Sequence, residues 1–177
     1  MRKYIIVMML LLSTLFIGCA DPVSDGAGFL EEGNYEEAKS AFETAIEKGK
    51  KLGEAYLGLG ICCLENEDYE SAQENFGLAL ENGAEESGVL YNLLGRCEME
   101  MECPEKAVYY FAQGQVFQDV SDELKQEMAF NEIAAYEKLK MYDEAKAKLE
   151  IYVNTYPDDE AAAKELEFLN TQAPASE

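Results

Sequence analysis

The segment NYEEAKSAFETAIEKG, residues 34–49, is followed thirty-four residues later by a near copy, DYESAQENFGLALENG, residues 68–83. In the first copy Tyr35, Ala38, Ala41, Phe42, Ala45 and Ile46 fall at helical spacing and Gly49 closes the run, the pattern of a short amphipathic helix with a glycine stop. Its apolar stripe consists of small residues around one aromatic ring. Ala38, Phe42 and Ala45 recur as Ala72, Phe76 and Ala79, then as Ala107, Phe111 and Gly114, and more loosely as Ala145, Leu149 and Tyr152. Such recurrence marks a stack of similar units, none of which can bury its apolar face alone.

Each later copy is preceded by another helical run: EAYLGLGICCLENEDY (54–69), GVLYNLLGRCEMEMECP (88–104) and EMAFNEIAAYEKLKMY (127–142). The unit is therefore helix, turn, helix. Tyr56, Leu59, Gly60, Cys63, Tyr69, Ala72, Phe76 and Ala79, and again Tyr91, Leu94, Gly95, Pro104, Ala107 and Phe111, give a pattern that resembles the tetratricopeptide repeat. The resemblance implies an all-α solenoid of about four helix-turn-helix units over residues 29–170, the small residues marking close helix crossings. The first unit has room for only a short leading helix, about Ser24 to Glu32, with Gly26 and Phe29 at the places of the glycine and second aromatic. The fourth follows an extra stretch, FQDVSDELK (117–125), where Ser121 is an expected N-cap and the leading helix an expected turn longer. After Pro157, DDEAAAKELEFLN (158–170) reads as a capping helix with Asp158 as N-cap, and residues 171–177 as a disordered tail.

The resemblance further implies a concave face, lined by the first helix of each unit, that binds a protein or peptide partner. Its positions here include Glu54, Leu57, Ile61 and Leu64; Val89, Asn92, Arg96 and Met99; and Glu127, Phe130 or Asn131, Ala134 and Glu137. Leu57, Ile61, Leu64, Asn92, Arg96 and Asn131 are the candidate partner-binding residues. A full carboxylate clamp of the kind some repeat proteins use is not expected, because its lysines are missing. Arg96 is the only basic residue between Lys51 and Lys106. It either meets an acidic group of a partner or pairs locally with Glu100, four residues on.

With 36 acidic residues, 14 basic residues and no histidine among its 177, the chain carries a formal net charge of -22. That field disfavours nucleic acid and anionic lipid headgroups and favours basic ligands or divalent cations. Cys62 and Cys97 fall at equivalent places of consecutive units and read as small apolar core groups; Cys63 takes the second-aromatic place, and Cys103 sits in a turn beside Pro104. A disulfide between Cys97 and Cys103 would require the helix to end early. The cysteine spacing matches no zinc pattern, no phosphate loop or nucleophile elbow is present, and no cofactor or catalytic residue is expected.

Arg2 and Lys3 precede a mostly apolar, uncharged run from Tyr4 to Ile17, shorter than the ~20 residues that span a bilayer core. The stretch LFIGC resembles a bacterial lipoprotein signal, with Phe16 where the family prefers leucine. It implies removal of residues 1–18, lipidation of Cys19, and a polar tether over residues 19–28; ordinary cleavage or an uncleaved anchor is the alternative. The expected product is a non-enzymatic adaptor at the extracytoplasmic face of the cell membrane, its rivals being a subunit of an envelope assembly machine and a charge-driven receptor for basic peptides.

Overall fold

In the computed structural model, which describes residues 21–118 and 120–172, nine helices and no strand occur among the described residues. They are α1 (Pro22–Glu31), α2 (Tyr35–Glu47), α3 (Leu52–Glu65), α4 (Tyr69–Glu81), α5 (Gly88–Glu100), α6 (Pro104–Gly114), α7 (Asp122–Lys138), α8 (Tyr142–Thr155) and α9 (Glu160–Gln172). Consecutive helices pack against each other throughout the described residues, so that α1/α2, α3/α4, α5/α6 and α7/α8 form four stacked pairs and α9 covers the last. This is the expected solenoid.

The repeated phenylalanine and the repeated glycine are two halves of one contact. Phe42, Phe76 and Phe111 are each at most 2 % exposed. Each ring lies on the glycine of the first helix of its own unit: a Cβ at Gly26, Gly60 or Gly95 would stand 2.8, 2.5 or 2.5 Å from the ring. Removing the Cβ lets the helices close onto the ring, whose burial contributes about 1.5–3 kcal/mol per unit. Gly58 performs the same service between units, because a Cβ there would stand 2.2 Å from Phe42. In the fourth unit Ile133 replaces the glycine and Leu149 the ring, both buried in one apolar cluster. A larger residue on one side is matched by a smaller one on the other.

The turn inside every unit has one geometry. Gly33, Glu67, Glu102 and Lys140 have φ of 73°, 61°, 57° and 60°. Around them, the amides of Asn34, Asp68, Cys103 and Met141 donate to the carbonyls of Phe29, Cys63, Glu98 and Tyr136 at 2.8–3.0 Å, the bond that closes a left-handed helix C-terminus. Only the first turn uses glycine; the other three hold an L side chain in the left-handed region.

Several boundaries differ from expectation. The segment expected as a tether over residues 19–28 is helical from Pro22: Asp21 Oδ1 accepts from the Val23 amide at 3.3 Å, Pro22 opens the first turn, and Val23 is buried. Asp159 rather than Asp158 caps α9, accepting from the amides of Ala161 and Ala162 at 3.1 and 3.0 Å. Ser121 caps α7 through the Leu124 amide, and α7 has 17 residues against 14 in α3 and 13 in α5. Of the tail expected over residues 171–177, Thr171 and Gln172 belong to α9, and residues 173–177 lie outside the described residues, as do Cys19 and the signal segment 1–18. No helix among the described residues is long and apolar enough to cross a membrane.

Candidate functional site: an acidic cleft between first helices

The backbones of first helices α1 and α3 approach closely, and so do those of α5 and α7, whereas α3 and α5 are farther apart and meet through side chains of the apolar cluster around Leu64 and Leu94. A six-residue connection, Asn82–Ser87, joins their units, against four residues, Lys48–Lys51, between the first two. The gap is a cleft of about 460 Å3. Leu64 and Glu65 from the end of α3, Glu67 from the turn that follows and Tyr69 from the start of α4 form one wall. Arg96, Met99 and Glu100 of α5 and Glu127 and Asn131 of α7 form the other.

Of the six expected partner-binding residues, the cleft brings together Leu64, Arg96 and Asn131. Leu57 and Ile61 are half-buried and pack against the apolar cluster around Leu64, Phe76, Leu90 and Leu94. Asn92 is 5 % exposed and turned to the next unit, its Nδ2 donating to Glu127 Oε1 at 3.0 Å, while its Oδ1 has no hydrogen-bond partner. Arg96 pairs across the cleft, its Nη2 4.0 Å from Glu65 Oε1, and makes no ion pair with Glu100. Glu65 also accepts from the Tyr35 hydroxyl at 3.3 Å. The long, half-exposed Arg96 pair contributes at most a fraction of a kcal/mol.

Four carboxylates, from Glu65, Glu67, Glu100 and Glu127, therefore line the cleft with one guanidinium. Their field is visible in neighbouring phenols. The charge of Glu65, aided by burial, holds the Tyr35 hydroxyl above its ordinary pKa. Burial first, and then Glu100, does the same at Tyr69. Lys138 Nζ donates to the Met99 carbonyl at 3.2 Å from outside the cleft lining. At Glu137, one of the expected concave positions, burial and then Glu165 of α9 raise the carboxyl pKa.

The sequence reading passed over two buried carboxylates. Glu98, fully buried, occupies the second-aromatic place that Cys63 holds in the preceding unit; its Oε1 is bound by Gln73 and lies 3.4 Å from Lys106 Nζ, and its Oε2 has no partner. Glu132, 2 % exposed, accepts from Gln115 at 3.0 Å and pairs with Lys148 at 2.7 Å, tying the loop after α6 and helix α8 to α7. The departure from the aromatic pattern at Glu98 was the available signal.

Cys62, Cys63 and Cys97 are buried and Cys103 half-buried, all as free thiols. Helix α5 runs on to Glu100, so the early helix end that a Cys97–Cys103 bridge needs does not occur. Burial pushes the Cys62 thiol up to about 11 and the Cys97 thiol up to about 12, which makes both inert. Among the described residues no cluster of three or more cysteines and carboxylates could hold a metal ion.

Two family models, both described as tetratricopeptide repeat, match residues 29–97 and 133–159. The crystal structure of YrrB, a TPR protein with an unusual peptide-binding site, is similar to this chain with a TM-score of 0.73 at 22% identity, covering 85% of this chain and 75% of that one. Pseudomonas aeruginosa pilF has a TM-score of 0.66 at 20% identity, covering 85% and 67% of the two chains. The MamA protein has 0.70 at 14%, covering 84% and 78%. No curated protein matches the chain.

Proposed function

We propose, on the premise that this chain belongs to the tetratricopeptide-repeat proteins, that it is a membrane-anchored adaptor that grips a basic segment of a protein partner in the cleft between α3 and α5. The single observation that carries the reading is the cleft itself, where four carboxylates face one guanidinium that is only loosely paired. A lysine or arginine entering it gains several opposite charges, while an acidic segment meets repulsion both locally and from the whole chain. Met99 and Tyr69, both half-buried, supply apolar surface for the stems of such side chains, whereas Leu64 is buried beneath them.

The anchor is a lipid on Cys19, for which the signal-like segment before it is the support. Two or more acyl chains hold a protein durably at a membrane, each buried methylene contributing about 0.8 kcal/mol. Asp21, the N-cap of α1, follows two residues later, so the lipid holds the first repeat close to the extracytoplasmic face of the membrane. The protein performs no chemistry of its own in this reading.

Two results test it. Cys19→Ser should abolish incorporation of labelled fatty acid and release the protein from membranes; label persisting in the variant refutes the anchor. A partner captured by crosslinking in membranes should dissociate as salt rises toward 1 M, where the Debye length falls to about 3 Å. Retention at that salt would place the recognition energy in apolar contacts instead.

A further inference from the structure

A second groove opens on the opposite side of the molecule, between the second helices α4 and α6, and the proposed cleft function makes no use of it. It encloses about 630 Å3. Tyr91 and Leu94 of α5, Gln73, Glu74, Gly77, Leu78, Leu80 and Glu81 of α4, and Tyr109 and Tyr110 of α6 line it. The tyrosines are one cluster: the Tyr91 and Tyr110 ring centroids are 6.1 Å apart, and Tyr109 meets Tyr110 edge-on at 5.4 Å. Tyr109 is nevertheless 56 % exposed. Gly77 leaves open space on the α4 side of the groove, since a Cβ there would meet nothing within 4 Å.

The charges in and around this groove have one dominant sign. Glu74 and Glu81 line it, and neither lysine nor arginine does. Glu98 lies on α5 seven residues beyond Tyr91, two turns along the same helical face, and it is held by Gln73 of the groove lining. One oxygen of this fully buried carboxylate has no partner, and the only cation near the other is Lys106, whose side chain is 61% exposed. Aromatic faces attract cations, most strongly where carboxylates stand nearby and water is partly excluded. An anionic ligand is disfavoured by these carboxylates, while Leu78, Leu80 and Leu94 offer apolar surface to the stem of a long cationic side chain whose charge Glu74 and Glu81 would meet.

We propose that the α4/α6 groove is a second binding site, which takes an arginine-bearing basic peptide segment by laying a guanidinium on the tyrosine cluster and pairing it with Glu74 or Glu81. Arginine fits better than lysine because its planar head stacks on a ring and still offers a fork of donors to a carboxylate. The site does not depend on the α3/α5 cleft.

The test uses the full chain carrying Glu65→Gln and Glu100→Gln, which weaken the cleft, and a fluorescent hexa-arginine peptide titrated at low salt by anisotropy. This background should bind hexa-arginine more tightly than hexalysine. Adding Tyr109→Ala should weaken hexa-arginine binding about five-fold. Tyr109→Phe, which keeps the ring, should retain the affinity, and Gly77→Leu, which fills the open space on the α4 side of the groove, should weaken it about ten-fold or more. The proposal is overturned if the background fails to bind the peptide, if Tyr109→Ala and Gly77→Leu leave the affinity unchanged, or if Tyr109→Phe loses as much as Tyr109→Ala. None of those outcomes bears on the cleft, which is tested separately by salt and by crosslinking.

Discussion

The fit of Phe76 onto Gly60 makes one amino-acid change act with opposite signs at two places in one repeat. Gly60→Ala and Gly77→Ala both replace glycine by alanine inside a helix, which on propensity alone stabilises by about 1 kcal/mol. At Gly77 the new methyl meets nothing within 4 Å, and that gain should be realised. At Gly60 the methyl would stand 2.5 and 2.6 Å from Phe76 Cε1 and Cδ1, inside a fully buried contact. Carbon atoms rest at about 3.5–4.0 Å, so the ring must retreat by roughly 1 Å, and overpacking of that kind costs about 1–3 kcal/mol. Net of propensity, Gly60→Ala should destabilise by about 1 kcal/mol, leaving the two variants about 2 kcal/mol apart. Urea unfolding followed by far-ultraviolet circular dichroism reads this as a midpoint difference of about 1 M at equal slope. Combining Gly60→Ala with Phe76→Leu should cost less than the sum of the two, by about 1 kcal/mol, because the fourth unit already pairs a larger residue, Ile133, with the smaller Leu149. A Gly60→Ala variant as stable as Gly77→Ala would show that the glycine is not there for the ring.

Other features of the fold predict further behaviour. The carboxyl of Asp159 is held below the usual range by the Ala162 amide first and then by the Tyr152 hydroxyl. A depressed folded pKa gives stability that is present above the unfolded value of about 3.9 and lost as pH falls through the lower folded value. The protection of α9 amides relative to their intrinsic exchange rate should therefore fall below pH 4, and Asp159→Asn should remove that dependence while loosening α9 at neutral pH. Lys140, at φ 60°, should gain up to about 1 kcal/mol on replacement by glycine, as the strain relieved exceeds the entropy added to the unfolded chain; a thermal melt reads the change. In a Cys19→Ser background, a thiol reagent at pH 8 should label Cys103 quickly, and Cys62 and Cys97 only after denaturant is added.

The solenoid was legible because its joints are written in short range: Ala38, Phe42 and Ala45 lie within three turns of one helix, recur intact in the second unit and with small changes in the third and fourth. The cleft was legible only in part, since it depends on how far one unit is rotated against the next. Helical spacing offered Arg96 a partner at Glu100, yet the wider gap between α3 and α5 gives it Glu65, thirty-one residues earlier. Leu57 and Ile61 stand on the expected face by register, but the core cluster of units two and three draws them inward. Asn92 is buried because Glu127 of the next unit reaches back to it. Glu98 went unread for the same reason, its partner Gln73 lying twenty-five residues away on another helix. The matched family models are silent over residues 98–132, the stretch that holds Glu98, α6 and the long connection to α7.

The central claim is that a basic partner segment lies in the cleft between α3 and α5. A photoreactive amino acid placed at Glu67, on the cleft wall, tests it most directly when compared with one at Ser40, exposed on α2 away from the cleft. Irradiation in membranes should give a single protein adduct from position 67, absent from position 40 and lost when Glu65 and Glu100 are changed to glutamine. An adduct from position 40 alone, or one from position 67 indifferent to those two charges, would contradict the account.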